Sequence, residues 1–294
     1  MLKGGVLQLR RISWGKKQLL IWLAISLLCI ICISAEPCVF MYSAFSESSL
    51  DYTVITDETP QTIEEPGAFL VEIVHPEHHN DSIIPKQILI YHTHTYEAYE
   101  QDPHNRYKET EKWRTQDSEH NVIAVGQALS AALRAQNVNV VHDTTVFELP
   151  TLEQAYDRSL QMLETRKRNG ETYDLYIDLH RDALASTSTI RRTINIAGEE
   201  IARFMVLVGK GTSGGYTEKP DWEANYALAV RISDALNKQH ENLARNVKVK
   251  TGRFNQHISK NCLLIECGIN TNTLQEVIAG IPYLADAIVS ALSE

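Results

Sequence analysis

From residue 68 onward, short apolar runs alternate with longer stretches whose apolar residues recur at helical spacing. "AFLVEIV" (68–74), "QILIY" (87–91), "VNVVH" (138–142), "YDLYIDL" (173–179), "RFMVLVG" (203–209) and "CLLIECG" (262–268) are rich in β-branched residues or bounded by turn formers, which predicts strands. Between them Val122, Val125, Leu129, Ala132 and Leu133 fall on one helical face, as do Ala224, Ala227, Val230, Ile232 and Leu236. The last helix begins where Thr273 stands three residues before Glu276, the spacing of a capping box. Gly280 and Pro282 predict a break there, with a second helical piece restarting around Pro282 in its first turn. "TIRRTINIAGEEIARFMVLVG" (189–209) reads as two alternating stretches around "AGEE", hence an antiparallel hairpin within an otherwise crossover-connected sheet. No internal repeat is visible. The pattern predicts a single three-layer α/β domain over 68–294, a mixed twisted sheet with helices on both faces.

The first 67 residues follow other rules. Residues 1–17 carry Lys3, Arg10, Arg11, Lys16 and Lys17 and no acid, so the net charge of −9 leaves −14 on the remainder. "QLLIWLAISLLCIICISA" (18–35) is uncharged, and as a helix it would be roughly 27 Å long, enough to cross a bilayer core. Basic residues before it and Glu36, Glu47 and Asp51 after it favour a cytoplasmic tail at 1–17, an anchor at 18–35 and an extracytoplasmic remainder. A signal peptide cut before Glu36 is the rival reading, and it exports the same domain. Residues 36–67 mix Ser, Thr, Glu and Pro without periodicity, as a linker does. Of five cysteines, Cys29 and Cys32 lie in the apolar segment, Cys38 just beyond it, and Cys262 and Cys267 in one late strand. That is no disulfide framework. No basic cluster over the folded part marks a nucleic-acid partner.

In open α/β sheets ligands collect outside the carboxyl ends of the strands. "ILIYHTHTYE" ends in His92, His94 and Glu97; "LYIDLHRDA" carries Asp178, His180, Arg181 and Asp182; "CLLIECG" carries Glu266. A catalytic zinc takes three protein ligands and keeps a place for water. His94 and Glu97, spaced H-x-x-E, with His180 from another strand make such a set. Glu266, a carboxylate in an apolar strand, is the candidate base for metal-assisted hydrolysis. Asp117 competes with Glu97 as the carboxylate ligand, but its place just before a helix that starts near His120 fits an N-cap better. His75, His78 and His79 around Pro76 read as a solvated loop. Arg181, Arg191 and Arg192 are candidates for contact with anionic parts of a substrate.

The motifs "YHTHTYEAY", "NVIAVGQAL", "VVHDTT", "DLHRDA" and "NCLLIECGINTNT", in that order behind an apolar anchor, resemble the stage II sporulation protein P family over about residues 85–293. The resemblance implies an amidase- or carboxypeptidase-like fold and a zinc-dependent N-acetylmuramoyl-L-alanine amidase acting on peptidoglycan during engulfment, with endopeptidase activity on stem peptides also ascribed. It implies stage II sporulation proteins D and M as partners. Overlaying "ILIYHTH" on the related amidases puts His94 rather than His92 on the metal, while their carboxylate position favours Asp117 and the carboxypeptidase pattern favours Glu97. The expected set is therefore His94, Glu97 and His180, with Asp117 as alternative. Glu266 is the expected catalytic residue, and His92, Arg181, Asp182 and Asn270 support it or touch substrate. A catalytically weak metalloprotein that binds wall and partners, recruiting other hydrolases, is the competing class.

Overall fold

The computed structural model describes residues 86–185 and 187–293. The expected anchor at 18–35, the linker at 36–67, the strand at 68–74 and His75, His78 and His79 lie outside these residues.

Six strands form one sheet in the order β2-β1-β3-β8-β6-β7. β1 (Gln87–Tyr91), β2 (Asn139–His142), β3 (Leu175–Asp182) and β8 (Cys262–Ile269) run parallel; β6 (Phe204–Gly209) is antiparallel to β8, and the short β7 (Lys248–Lys250) is parallel to β6. All residues of β6 and β8 are buried, and so are Ile88 to Tyr91. Strands covered on both faces have no solvent side to alternate with, which is why the sequence shows them as unbroken apolar runs.

The two faces are covered unequally. Helices α1 (Val122–Arg134), α3 (Trp222–Gln239) and α4 (Leu274–Ser293) share the larger core with Ile88, Ile177, Val206 and Ile265. The opposite face carries α2 (Ala155–Arg168) over a small cluster of Leu89, Tyr91, Leu163, Tyr176, Ile258 and Cys262. Sequence reading did not find α2: its buried positions are only Ala155, Ser159 and Leu163, a narrow stripe on an otherwise charged helix. That stripe covers the start of the central strands and leaves the later part of the same face to polar side chains.

Two expectations need correction. The antiparallel hairpin forms as β4 (Thr193–Ile196) and β5 (Glu199–Ala202), but it is a separate two-stranded sheet rather than part of the main one. Ile194, Ile201 and Ala202 enter the larger core, and β5 lies against α4. The last helix also does not break. Its capping box forms as expected, with Thr273 N donating to Glu276 Oε2 at 3.0 Å and Glu276 N to Thr273 Oγ1 at 3.2 Å. The helix then runs through Gly280 and Pro282. Gly280 is a packing residue: a Cβ there would stand 2.8 Å from the ring of Phe204 and 3.1 Å from Ile201. α4 is long and apolar enough to cross a membrane by length and composition, yet Val277, Ile281, Leu284 and Ile288 are buried in the core, which accounts for that composition.

Candidate metal centre

His180 on β3 is paired with Glu266 on β8 in the parallel ladder, and the register slips between His180 and Asp182. Asp178 and His180, two residues apart, project from the same face as Glu266, the one that α2 covers only in part. An irregularity of this kind re-aims a side chain at the end of a strand.

The third contribution comes from the chain leaving β1. Thr93 N and Thr93 Oγ1 donate to the two oxygens of Asp178 at 2.8 and 2.7 Å, so the turn is locked to β3 as soon as the strand ends. Tyr96 N donates to Glu148 at 3.1 Å. Arg181 holds the next residues: its amide donates to Glu97 Oε2 at 3.1 Å, its Nε to Ala98 O at 2.9 Å and its guanidinium to Trp113 O at 3.1 Å. Thus fixed, Glu97 Oε2 lies 3.3 Å from His180 Nδ1, and the His94 and His180 rings meet edge to face with centroids 5.3 Å apart. Tyr156 of α2 closes on His94 from another side at 5.5 Å.

The donor set suits a zinc ion. Two atoms each about 2.0–2.1 Å from a tetrahedral ion stand about 3.3 Å apart, which is the separation between Glu97 and His180. Glu266 Oε2 is buried without a hydrogen-bond partner, a costly arrangement that a bound group would relieve; His94 Nδ1 and His180 Nε2 meet only carboxylates not aligned for a hydrogen bond, Glu148 at 3.3 Å and Asp178 at 2.8 Å. Among the described residues no three His, Cys, Asp or Glu side chains already surround a common point, so gathering His94, Glu97 and His180 requires side-chain adjustment.

Charges at the site are strongly coupled. Burial alone would raise the Glu97 carboxyl, but His180 in particular, with Arg181 and His94, outweighs it and holds Glu97 down at about 2. Burial alone would lower His180, and the carboxylates of Asp178 and Glu97 instead raise it well above the usual imidazole range. Glu266 behaves oppositely to Glu97. Burial pushes it up to about 8, with Glu97 and Asp182 adding to the rise and His180 and Arg245 opposing it. The surroundings thus push two carboxyls of one site in opposite directions.

The other expected residues are placed as follows. His92 is wholly buried, with Nδ1 2.9 Å from Leu179 O and Nε2 2.8 Å from His142 Nε2. Gly126 of α1 leaves the room for that pair, since a Cβ there would stand 2.5 Å from His142 and 2.7 Å from His92. Asp182 pairs with Arg245 at 2.9 Å, and Asn270 makes reciprocal bonds with the main chain of Leu184, both 3.1 Å. Arg192 donates to Thr271 O at 2.7 Å. Asp117 is partly exposed and binds the His120 ring at 2.9 Å and the Glu119 amide at 3.1 Å. It does not cap α1: the N-cap is Asn121, whose side chain accepts from Ile123 N at 2.9 Å. Asn121 lies one residue before the helix, where the oxygen reaches the first free amides, and Asp117 is too early in the chain for that.

The family model described as stage II sporulation protein P (SpoIIP) matches residues 45–289. The chain belongs to the SpoIIP family. Comparison with curated protein sequences gives no match. Among solved structures, the catalytic domain of the CD27L endolysin targeting Clostridia difficile is 16% identical, covering 71% of this chain and 97% of its own, with a TM-score of 0.45. The CwlD amidase from Clostridioides difficile, solved in complex with the GerS lipoprotein, is 15% identical over 71% of this chain and 96% of its own, TM-score 0.46. N-acetylmuramoyl-L-alanine amidase AmiC2 of Nostoc punctiforme is 15% identical over 71% and 95%, TM-score 0.40.

This SpoIIP chain also places at the site a residue that sequence reading missed. Glu148 is buried, receives Arg114 at 2.5 Å, and stands 3.3 Å from His94 Nδ1. "VFELP" gave no signal for it, being a lone acid in a segment without periodicity. Its distance to His94 equals that of Glu97 to His180, but Arg114 and Tyr96 N already engage its two oxygens, so Glu97 is the freer carboxylate.

Proposed function

We propose that this chain is a zinc-dependent peptidoglycan hydrolase that cleaves the amide between N-acetylmuramic acid and the L-alanine of the stem peptide. The setting is septal wall degradation and engulfment in sporulation, with cross-link cleavage as a second activity and stage II sporulation proteins D and M as partners. Residues 18–35 anchor it in the membrane, 36–67 form the linker, and 68–294 work outside. One observation carries the reading: Glu97 and His180 stand at the separation of two zinc ligands, beside His94 and next to a buried, unpartnered Glu266 oxygen.

His94, Glu97 and His180 are the residues that would hold the ion. Bound there, zinc supplies Lewis acidity to the amide carbonyl and makes water a better nucleophile. Glu266 takes the proton from the attacking water and delivers it to the amine of L-alanine as the C–N bond breaks, so one carboxylate serves both proton transfers. Its raised pKa favours the second of these steps, and a cation nearby would lower that pKa, in the direction that the first requires. Arg181 keeps Glu97 in place through its amide.

The test is metal analysis of the purified protein followed by product analysis on isolated walls. One equivalent of zinc and free stem peptides beginning with L-alanine support the reading. Zinc binding without any cleavage would instead favour a wall-binding metalloprotein that recruits other hydrolases.

A further inference from the structure

Asp178 has no assigned role, yet it is 1% exposed in the middle of the sheet. Its Oδ1 lies 2.8 Å from His180 Nε2. An ionised side chain buried so completely is costly unless its oxygens are occupied. Thr93 occupies both, through its amide and its hydroxyl, and Thr93 is itself held by Ser159 of α2 at 2.9 Å. The carboxylate is therefore fixed from two elements before it meets the histidine. Across the ring, His180 Nδ1 lies 3.3 Å from Glu97 Oε2.

We infer that Asp178 is a positioning residue, which accepts a hydrogen bond from the Nε2–H of His180 and so presents Nδ1 to the metal. This rests on the zinc reading above. A histidine that binds metal through one nitrogen donates from the other, and that second bond sets the tautomer and the orientation of the ring. The 2.8 Å contact is not aligned as a hydrogen bond, and Nε2 has no hydrogen-bond partner. A turn of the ring toward a metal shared with Glu97 brings that contact into use. The sequence places the carboxylate by strand geometry alone: in "DLH", positions 178 and 180 share one face of β3.

The test is zinc affinity of the full-length chain, measured by competition with a chromophoric chelator. Asp178→Asn keeps size and shape but lowers the charge and the acceptor strength. Losses on replacing such a partner are typically about 10- to 100-fold in metal affinity, and a fall in that range is expected, with a changed visible spectrum of the cobalt-substituted protein. Affinity and cobalt spectrum equal to wild type overturn the inference. Should Asp178→Asn fail to fold, Thr93→Val decides: it removes the hydroxyl that steadies Asp178, so a lower zinc affinity supports the role and an unchanged one overturns it. A wild-type chain that binds no zinc rejects the zinc reading itself, whereas tight wild-type binding with an undiminished Asp178→Asn variant rejects this inference alone.

Discussion

His180 and Glu266 occupy paired positions on adjacent parallel strands, so their side chains leave the same face of the sheet as neighbours. One is held by the carboxylates of Asp178 and Glu97, and the other keeps an oxygen with no partner. The two side chains are thereby placed side by side by the sheet rather than by loops, which limits how far either can drift; in the function proposed above they are the metal ligand and the proton carrier.

Removing His94 should remove the metal. His94→Ala is expected to lose bound zinc and wall hydrolysis together while retaining the fold, because its ring is partly exposed and belongs to neither apolar core. Circular dichroism and metal analysis of the same sample check this. Undiminished zinc in the variant would contradict the ligand assignment.

Glu97, Asp117 and Glu148 can be separated by neutral, similarly sized substitutions. Glu97→Gln should lower zinc affinity strongly. Asp117→Asn should leave it unchanged, since that carboxylate is engaged with His120. Glu148→Gln should weaken affinity less than Glu97→Gln, because Glu148 already binds Arg114 and Tyr96 N. A reversed order, measured by chelator competition, would move the ligand role to the residue that suffers most.

Glu266 predicts a pH dependence of the zinc-free protein. In the folded state its carboxyl is raised from 4.5 to about 8, so between those values the folded chain holds a proton that the unfolded chain has released. Stability from this group is present below about 4.5 and is lost as pH rises through about 8. Glu266→Gln has no such loss. Urea unfolding in the presence of a chelator should show the variant gaining on wild type between pH 5 and pH 9. A difference independent of pH would mean that burial does not raise Glu266.

Much of this could be read in advance. Five of the expected strands lie among the described residues and coincide with β1, β2, β3, β6 and β8 to within a few residues, because strands of a covered sheet are apolar and sharply bounded, even the half-exposed edge strand β2. His94, Glu97, His180 and Glu266, which the fold brings near one another, stand out in the sequence for a related reason: they are polar groups that end or interrupt such runs. Glu148 and α2 were not visible. The carboxylate sits in an irregular segment whose course depends on Arg114 and Arg158 contacts, and the helix buries too few apolar residues to leave a period. The helix cap is Asn121 and not the expected Asp117, since the two have similar local chemistry and only the backbone distinguishes them.

Gly280 illustrates the same limit and gives a stability test. A helix-breaking glycine should tolerate alanine, which favours helix by about 1 kcal/mol. The contact with Phe204 predicts the opposite sign: Gly280→Ala forces a methyl group to 2.8 Å from that ring, and overpacking of this kind costs about 1–3 kcal/mol. Thermal unfolding should show a net loss. A raised midpoint would show that the ring of Phe204 moves aside freely.

The central claim, that a zinc site and Glu266 together cleave the wall amide, is tested most directly by Glu266→Gln on purified peptidoglycan, with zinc content and products measured on the same preparation. The variant should retain its zinc and bind wall, yet turn over at least about 10²-fold more slowly, in line with the 10²–10⁴-fold contribution of general acid–base groups. Free stem peptides beginning with L-alanine should accompany the wild-type protein and be missing from the variant's products. Cleavage near the wild-type rate with zinc in place would leave Glu266 a structural carboxylate of β8 and remove the proton carrier from the mechanism.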